Sequence, residues 1–377
     1  MSAQRAAIAL YLPSLAGGGA ERVFVQLANQ FAAQGVRASL LLARATGPYV
    51  DEIAPGVQLV DLGARGVLHS VPRLAAWLRA SRPDVLLSAL DHANLAAIVA
   101  ARLAGGMRCV ISMRSMPSAV YRQERGARRH VLPFLMRRLY PRAAAVIANS
   151  HAAARDLEQH FGVPAARLAV IHNPLDLALI ERLAAQPMQD PWAGHSAEPL
   201  LLAVGSLTPL KDFATLLRAF ARLRARRECR LAILGEGECR GRLEALADQL
   251  QIRGDVYLPG FVHNPFAWMR AARLVISSSL TEGCPNAVMQ ALACGTPVVS
   301  TDSEGGAREI LEDGRWGPLV PVGDDAALAA AMESQLDRPT ADVRRRAADF
   351  AMAQIAPQFL RQLLATTPAA CARAVES

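Results

Sequence analysis

The chain alternates short apolar runs with longer stretches in which apolar residues recur every three or four positions. In the first half the runs are AIALYLP, RASLLLA, VQLVDL, DVLLSAL, RCVISM, AAAVIANS and LAVIHN. In the second they are PLLLAVGSL, RLAILGEG, VYLPGF, RLVISSS, TPVVSTD and GPLVPVG. They are short for helices and lack strict alternation, as expected of strands buried on both faces. Amphipathic stretches between them, such as AERVFVQLANQFAAQG, then serve as crossover helices of a parallel sheet. The pattern predicts an α/β protein of two doubly wound, Rossmann-like domains. Length agrees, because 377 residues exceed the ~250 to 300 at which one core stops growing. Residues 1–174 form the first domain and 199–352 the second. Residues 175–198, with Pro187, Pro191 and Gly194, read as the linker. No short internal repeat is visible.

In such sheets ligands lie outside the carboxyl ends of the strands, so two facing domains would frame a cleft there. After the first strand comes SLAGGGAER, where Gly17, Gly18 and Gly19 let the backbone approach a ligand. A helix starting near Ala20 offers free N–H groups to an anion. The spacing is not GxGxxG and no acid follows about twenty residues later, which disfavours a dinucleotide oxidoreductase. The same residues also suit a plain tight turn. GSLTPLKDF places Lys211, the only lysine in the chain, just ahead of a helix. A cation at the positive end of a helix is unfavourable without an anion, so Lys211 suits a phosphate. Glu236 and Glu238, in LGEGECRGRL, read as turn and capping chemistry.

In LTEGCPNAVMQAL, Glu282 follows a buried strand and Pro285 fits the first turn of a helix, leaving Asn286, Ala287 and Val288 with free amides. Gln290, further along that helix, reaches towards the same side. A carboxylate for hydroxyls, an amide and a phosphate-seeking lysine describe a site for a nucleotide attached to a hydroxyl-rich group.

The formal charge of +8 lies in the first half: residues 1–190 hold 21 Arg against 12 acids. Within it, YRQERGARRHVLPFLMRRLYPR carries seven Arg and one Glu among Leu, Phe, Met and Tyr. That mixture suits an anionic membrane surface or an acidic substrate, with a solvated helix face as the alternative. No nucleic-acid motif accompanies it. The six cysteines include no CxxC and no metal-ligand spacing, so a reduced cytoplasmic protein without a metal site is expected. No run reaches the ~18 apolar residues of a membrane span. The first residues have the composition of a signal peptide but continue into an amphipathic helix, and so read as strand, turn and helix.

The motifs GGGAERV, NSHAAARDL, VIHNPLD, VGSLTPLKDF, LGEGECRGRLEALA, LPGFVHNPFAWMRAARLVISSSLTEGCPNAVMQALACGTPVVSTDSEGGAREIL and GPLVPVGD run in order along nearly the whole chain. In them the sequence resembles the family-four retaining glycosyltransferases of GT-B fold, which include bacterial enzymes building lipid-linked, capsular and lipopolysaccharide glycans. The resemblance implies that Gly18 and Gly19 lie beside a donor diphosphate, that Lys211 binds phosphate and that Glu282 holds sugar hydroxyls. It also implies that the base contacts backbone around Gly260 to Val262. A C-terminal helix at about 353–377 is expected to cross back over the first domain.

Three positions depart from the family pattern. Gln290 stands where the family has a second, ribose-binding Glu. Ser206 replaces a frequent phosphate-binding Arg, whose place Arg114 could take. Arg114 and Ser115 occupy the site of a common first-domain His, and the nearest strand-end His is His92, which also suits a structural role.

The expected activity is retaining, metal-independent transfer of a hexosyl group from a nucleotide diphosphate sugar, with UDP favoured over GDP. The acceptor is a hydroxyl of a membrane-associated glycan or glycolipid in surface polysaccharide biosynthesis. No DxD motif occurs, and no cofactor is expected beyond the nucleotide sugar as substrate. Arg128, Arg129, Arg137 and Arg138 are the candidates for contact with an anionic membrane, from a cytoplasmic protein peripheral to the inner face. The alternatives are a degenerate protein that binds nucleotide sugar or a partner without turnover, and a nucleotide-sugar epimerase.

Overall fold

Alternate residues of each central strand face opposite sides of a sheet, and here both sides are apolar. In the second half Leu201 and Ala203, Leu231 and Ile233, and Leu274 and Ile276 join one core cluster. Leu202, Ala232, Leu234 and Val275 join a second. This two-sided burial erases alternation from the sequence. The computed structural model describes residues 6–365 except 125, 127, 189–191 and 193–197. The chain divides into two units. Unit 1 runs to Asn149 and adds Ala153–His172 and the residues from Ala353; unit 2 comprises Ser150–Ala152 and Asn173–Met352.

In unit 1 the strands are β1 (Ala7–Leu12), β2 (Arg37–Leu42), β3 (Gln58–Asp61), β4 (Val85–Ala89), β5 (Cys109–Met113), β6 (Ala145–Ala148) and β7 (Leu168–Val170). They form one parallel sheet in the order β3-β2-β1-β4-β5-β6-β7. The connecting helices are α1 (Gly19–Ala33), α2 (Val67–Ser81), α3 (Asp91–Leu103), α4 (Pro117–Gln123), α5 (Arg128–Leu139) and α6 (His151–Phe161).

Unit 2 opens with α7 (Leu177–Ala184), which lies inside the segment read as a linker and packs Leu177, Ile180 and Ala184 into the unit's core. Its strands are β8 (Leu200–Val204), β9 (Arg230–Leu234), β10 (Val256–Gly260), β11 (Leu274–Ser277), β12 (Thr281–Glu282), β13 (Val298–Thr301), β14 (Glu304–Gly305) and β15 (Leu319–Val320). The main sheet has the order β10-β9-β8-β11-β13-β15, and β12 pairs with β14 in a separate ladder that the sequence pattern did not suggest. The helices are α8 (Phe213–Arg224), α9 (Arg240–Gln249), α10 (Pro265–Ala271), α11 (Asn286–Cys294), α12 (Ala307–Ile310), α13 (Asp325–Asp337) and α14 (Arg344–Ala348).

The last helix, α15 (Met352–Leu364), groups almost entirely with unit 1. Arg108 at the start of β5 donates from Nε to the Leu363 carbonyl and from Nη2 to that of Gln362, each at 3.0 Å. A cation at a helix C-terminus meets the negative end of its dipole. Residues 366–377, the rest of the expected final helix, lie outside the described residues. Among the described residues no helix is long and apolar enough to cross a membrane.

Both sheets follow the order 3-2-1-4-5-6 in their first six strands, so connections leave in opposite directions on either side of β1/β4 and of β8/β11. Each reversal opens a crevice at the carboxyl ends of those strands.

Candidate functional site

The crevice of unit 2 is bounded by the segments that follow β8 and β11, and these carry the two charges singled out from sequence. After β8 the chain makes a single 3₁₀ turn, Pro209–Lys211, ending in Asp212 at φ 43°. The Asp212 carboxylate caps α8 by accepting from the Thr215 N–H at 3.3 Å and the Thr215 hydroxyl at 2.7 Å. That cap holds Lys211 at the mouth of the crevice. After β11, Ser278 and Ser279 lead into β12, whose second residue is Glu282. The Lys211 ammonium donates to Glu282 Oε1, forming an ion pair with side chains 25% and 16% exposed. The exposure matters because both groups remain open to a ligand while partly shielded from water.

The backbone around Glu282 is fixed by the small ladder. Its carbonyl accepts from the Gly306 N–H at 3.2 Å, and the Thr281 hydroxyl donates to the Glu304 carbonyl at 2.9 Å. Gly305 sits at φ 137°, and a Cβ there would stand 1.5 Å from the Glu282 carbonyl oxygen. Only glycine permits this approach. A similar constraint holds the neighbouring turns, since a Cβ on Gly235, at φ 145°, would meet the Gly205 carbonyl at 2.0 Å.

Helix α11 begins one residue later than expected. Pro285 has a non-helical ψ of 86° and stands ahead of the first turn, to which Asn286, Ala287 and Val288 belong. Their amides have no backbone or side-chain acceptor among the described residues. The Asn286 side chain is committed elsewhere, its Oδ1 accepting from Asn173 Nδ2 at 2.6 Å. Val288 is fully buried, which leaves the partly exposed Asn286 and Ala287 as the first-turn residues open to a ligand. Gln290 is half-buried, and its amide makes no hydrogen bond with the described residues.

Other expected donor residues lie on neighbouring loops. Ser206 is exposed, and its carbonyl accepts from Thr208 at 2.8 Å. Val262 packs on the core beside the exposed Phe261 in the turn after β10. Glu236 is bound bidentately by Arg240, at 2.9 and 2.5 Å, and that hydrogen bonding lowers its carboxyl pKa. It acts as turn chemistry, as its sequence context suggested.

In unit 1 the corresponding crevice lies between the loops after β1 and β4. Gly18 is the N-cap of α1, which starts at Gly19, beside the expected Ala20. Tyr49 donates to the Gly17 carbonyl at 3.0 Å and pins the turn. The Glu21 carboxylate folds back over Gly18, where a Cβ would stand 2.2 Å from Oε2, and burial pushes the Glu21 pKa up. The glycine loop therefore carries an acid of its own that the sequence reading passed over.

After β4, Leu90 adopts φ 74°, a conformation that costs a non-glycine residue about 1–3 kcal/mol. It delivers Asp91 and His92 to the first turn of α3. Asp91 accepts from the Tyr121 hydroxyl at 2.8 Å. Burial raises the Asp91 pKa, and the Tyr121 bond counteracts part of that rise. His92 has its pKa lowered, first by desolvation and then by the charge of Arg128. Arg114 is half-buried 5.5 Å over the Phe24 ring, and Ser115 is half-buried beside it. Asp91 and Tyr121 escaped the sequence reading because a lone Asp at a helix start looks like ordinary capping.

Helix α5 shows a surface of mixed character. Arg128, Arg129, Arg137 and Arg138 are exposed, and so are Val131 (52%), Phe134 (55%) and Leu135 (36%). Arg138 lies 5.4 Å over the Phe134 ring.

Known proteins share this fold. The family described as "Glycosyltransferase Family 4" matches residues 17–179, and "Glycosyl transferases group 1" matches residues 198–338. The N-acetylgalactosamine-N,N'-diacetylbacillosaminyl-diphospho-undecaprenol 4-alpha-N-acetylgalactosaminyltransferase of Campylobacter jejuni is 31% identical over 281 residues, covering 73% of this chain and 74% of its own. The D-inositol 3-phosphate glycosyltransferase of Pseudarthrobacter chlorophenolicus is 30% identical, covering 88% and 85%. Among solved structures, Anabaena HepE in complex with UDP-glucose superposes with a TM-score of 0.76 at 23% identity, covering 96% of this chain and all of that one. The chain is a glycosyltransferase of GT-B fold and belongs to glycosyltransferase family 4.

Proposed function

We propose that the protein moves a hexosyl group from a UDP-sugar to a hydroxyl of a membrane-associated, lipid-linked glycan, with retention of anomeric configuration and without an essential metal ion. The observation that carries this reading is the Lys211–Glu282 pair at the crevice between β8 and β11. A cation and a carboxylate there match the two ends of a nucleotide sugar. Lys211 answers the diphosphate and, with the first-turn amides of α11, stabilises charge on the leaving group. Glu282 accepts hydrogen bonds from sugar hydroxyls, and the Gln290 amide is assigned to the ribose.

Glu282 is bonded to an ammonium and a hydroxyl, which suits a holding role rather than that of a nucleophile in a two-carboxylate displacement. The route favoured is front-face attack, with the leaving diphosphate assisting deprotonation of the acceptor. UDP is supported by HepE, solved with UDP and with UDP-glucose. The lipid-linked acceptor is supported by the Campylobacter transferases, whose names specify undecaprenol diphosphate glycans, and by the basic, apolar surface of α5. That surface favours a peripheral position on the inner, anionic face of the cytoplasmic membrane.

The experiment is a thermal-stabilisation screen of UDP- and GDP-sugars, followed by transfer assays on polyprenyl-diphosphate glycans with the anomeric product assigned by NMR, with and without EDTA. Stabilisation by a UDP-sugar and an EDTA-resistant, retained product is the expected result. Binding with no turnover on any acceptor would establish the degenerate reading that Gln290 and Ser206 motivate.

A further inference from the structure

Glu282 and Lys211 are themselves held, and by consecutive residues. Ser278 and Ser279, which are 1% and 2% exposed, directly follow β11, and their side chains go to different partners. The Ser278 hydroxyl donates to the Lys211 carbonyl at 2.8 Å, and the Ser279 hydroxyl donates to Glu282 Oε1 at 2.9 Å. The dipeptide is locked in turn: Thr301 donates to the Ser279 carbonyl at 2.6 Å, and the Leu280 N–H donates to the Leu210 carbonyl at 2.8 Å. We propose that Ser278 and Ser279 are separate positioning residues for the two ends of the donor, Ser278 acting on the phosphate end through Lys211 and Ser279 on the sugar end through Glu282. This inference rests on the donor assignment above.

The physical basis is the freedom each hydroxyl removes. A carboxylate on three rotatable bonds can turn towards Lys211 alone, and the Ser279 hydroxyl holds one oxygen so that the other remains free to accept from a sugar. Ser278 ties down the carbonyl of the residue that bears the ammonium, which sets the direction of the lysine stem. Because the hydroxyls are buried, water is poorly placed to replace either bond.

The test measures calorimetric affinities of UDP, UDP-glucose and UDP-N-acetylgalactosamine for the full chain and for Ser278→Ala, Ser279→Ala, Ser279→Cys and Ser279→Thr. Ser279→Ala is expected to weaken the bound UDP-sugar by about tenfold and leave UDP within about twofold, with Ser279→Thr recovering most of the loss and Ser279→Cys falling between. Ser278→Ala is expected to weaken UDP and UDP-sugar alike, by about fivefold. Equal loss of UDP and UDP-sugar in Ser279→Ala, or no rescue by threonine in a folded variant, overturns the proposal. Should the alanine variant not fold, the order of the cysteine and threonine variants decides the matter. A wild-type protein that binds none of the three ligands overturns the donor assignment instead, and the inference with it.

Discussion

Lys211 and Glu282, 71 positions apart, meet as an ion pair because the sheet of unit 2 reverses its winding between the strands that precede them. The relationship unites the two residues whose sequence contexts were hardest to explain alone. A cation ahead of a helix and a carboxylate after a buried strand find each other as opposite charges across the crevice.

Removing the carboxylate is expected to cost activity at the sugar end. Glu282→Ala should lower donor kcat/KM by about 10- to 100-fold, the range of a lost hydrogen-bonding charge. Glu282→Gln should fall less, because an amide oxygen still accepts. Steady-state kinetics with the best donor of the screen measures both, and wild-type rates in the alanine variant would remove Glu282 from the site.

Gln290 offers a test in the opposite direction. Charge-assisted hydrogen bonds are roughly twice as strong as neutral ones, so Gln290→Glu should tighten UDP by about three- to tenfold if the side chain faces the ribose. Titration of UDP into the variant reads this, and unchanged or weakened binding would place Gln290 away from the ribose.

Gly305 supports the site through backbone geometry alone. With φ at 137° and a Cβ that would collide with the Glu282 carbonyl, Gly305→Ala should separate β12 from β14 and destabilise the protein by at least about 1–3 kcal/mol. Thermal unfolding should show a lower Tm, and donor binding should fall with it. Wild-type Tm and affinity would show that the ladder is not needed.

Asp91 predicts a pH dependence. Its pKa is raised by burial, so the folded state binds a proton more tightly than the unfolded one. The cost of the buried charge is absent below the ordinary carboxyl pKa, near 4, and is fully felt once pH exceeds the raised value. Asp91→Asn should therefore gain stability relative to wild type as pH rises from 4 to 7. Denaturant unfolding at both pH values measures the gain, and a difference that shrinks with pH contradicts the sign.

The α5 surface makes a prediction independent of the donor. Reversing Arg128, Arg129, Arg137 and Arg138 to Glu should abolish binding to phosphatidylglycerol-containing liposomes and leave UDP affinity unchanged. Sedimentation with vesicles reads the first and calorimetry the second. Retained vesicle binding would remove α5 from the membrane contact.

Much of this protein was legible in the linear text. Strands buried on two faces leave continuous apolar runs, and crossover helices leave a three-to-four repeat, so the α/β class and the two-part organisation follow from local pattern. Lys211, Glu282 and Gln290 stood out for a related reason, being polar groups at strand ends and in an otherwise apolar helix. What the text could not carry was pairing. The β12/β14 ladder is two residues wide on each side, below any periodic signal, and it forms only because glycine lets two backbones touch. Helix α7 was hidden by the Pro and Gly residues that follow it. The hydroxyls of Ser278 and Ser279 read as indifferent small residues until folding turned one towards a carbonyl and the other towards a carboxylate. Asp91 found Tyr121 thirty positions away. Local sequence determined which groups stand at strand ends, because burial and periodicity act over a few residues. Only the tertiary structure decided which of them meet, because the order of strands in a sheet is set by packing between segments far apart in the chain.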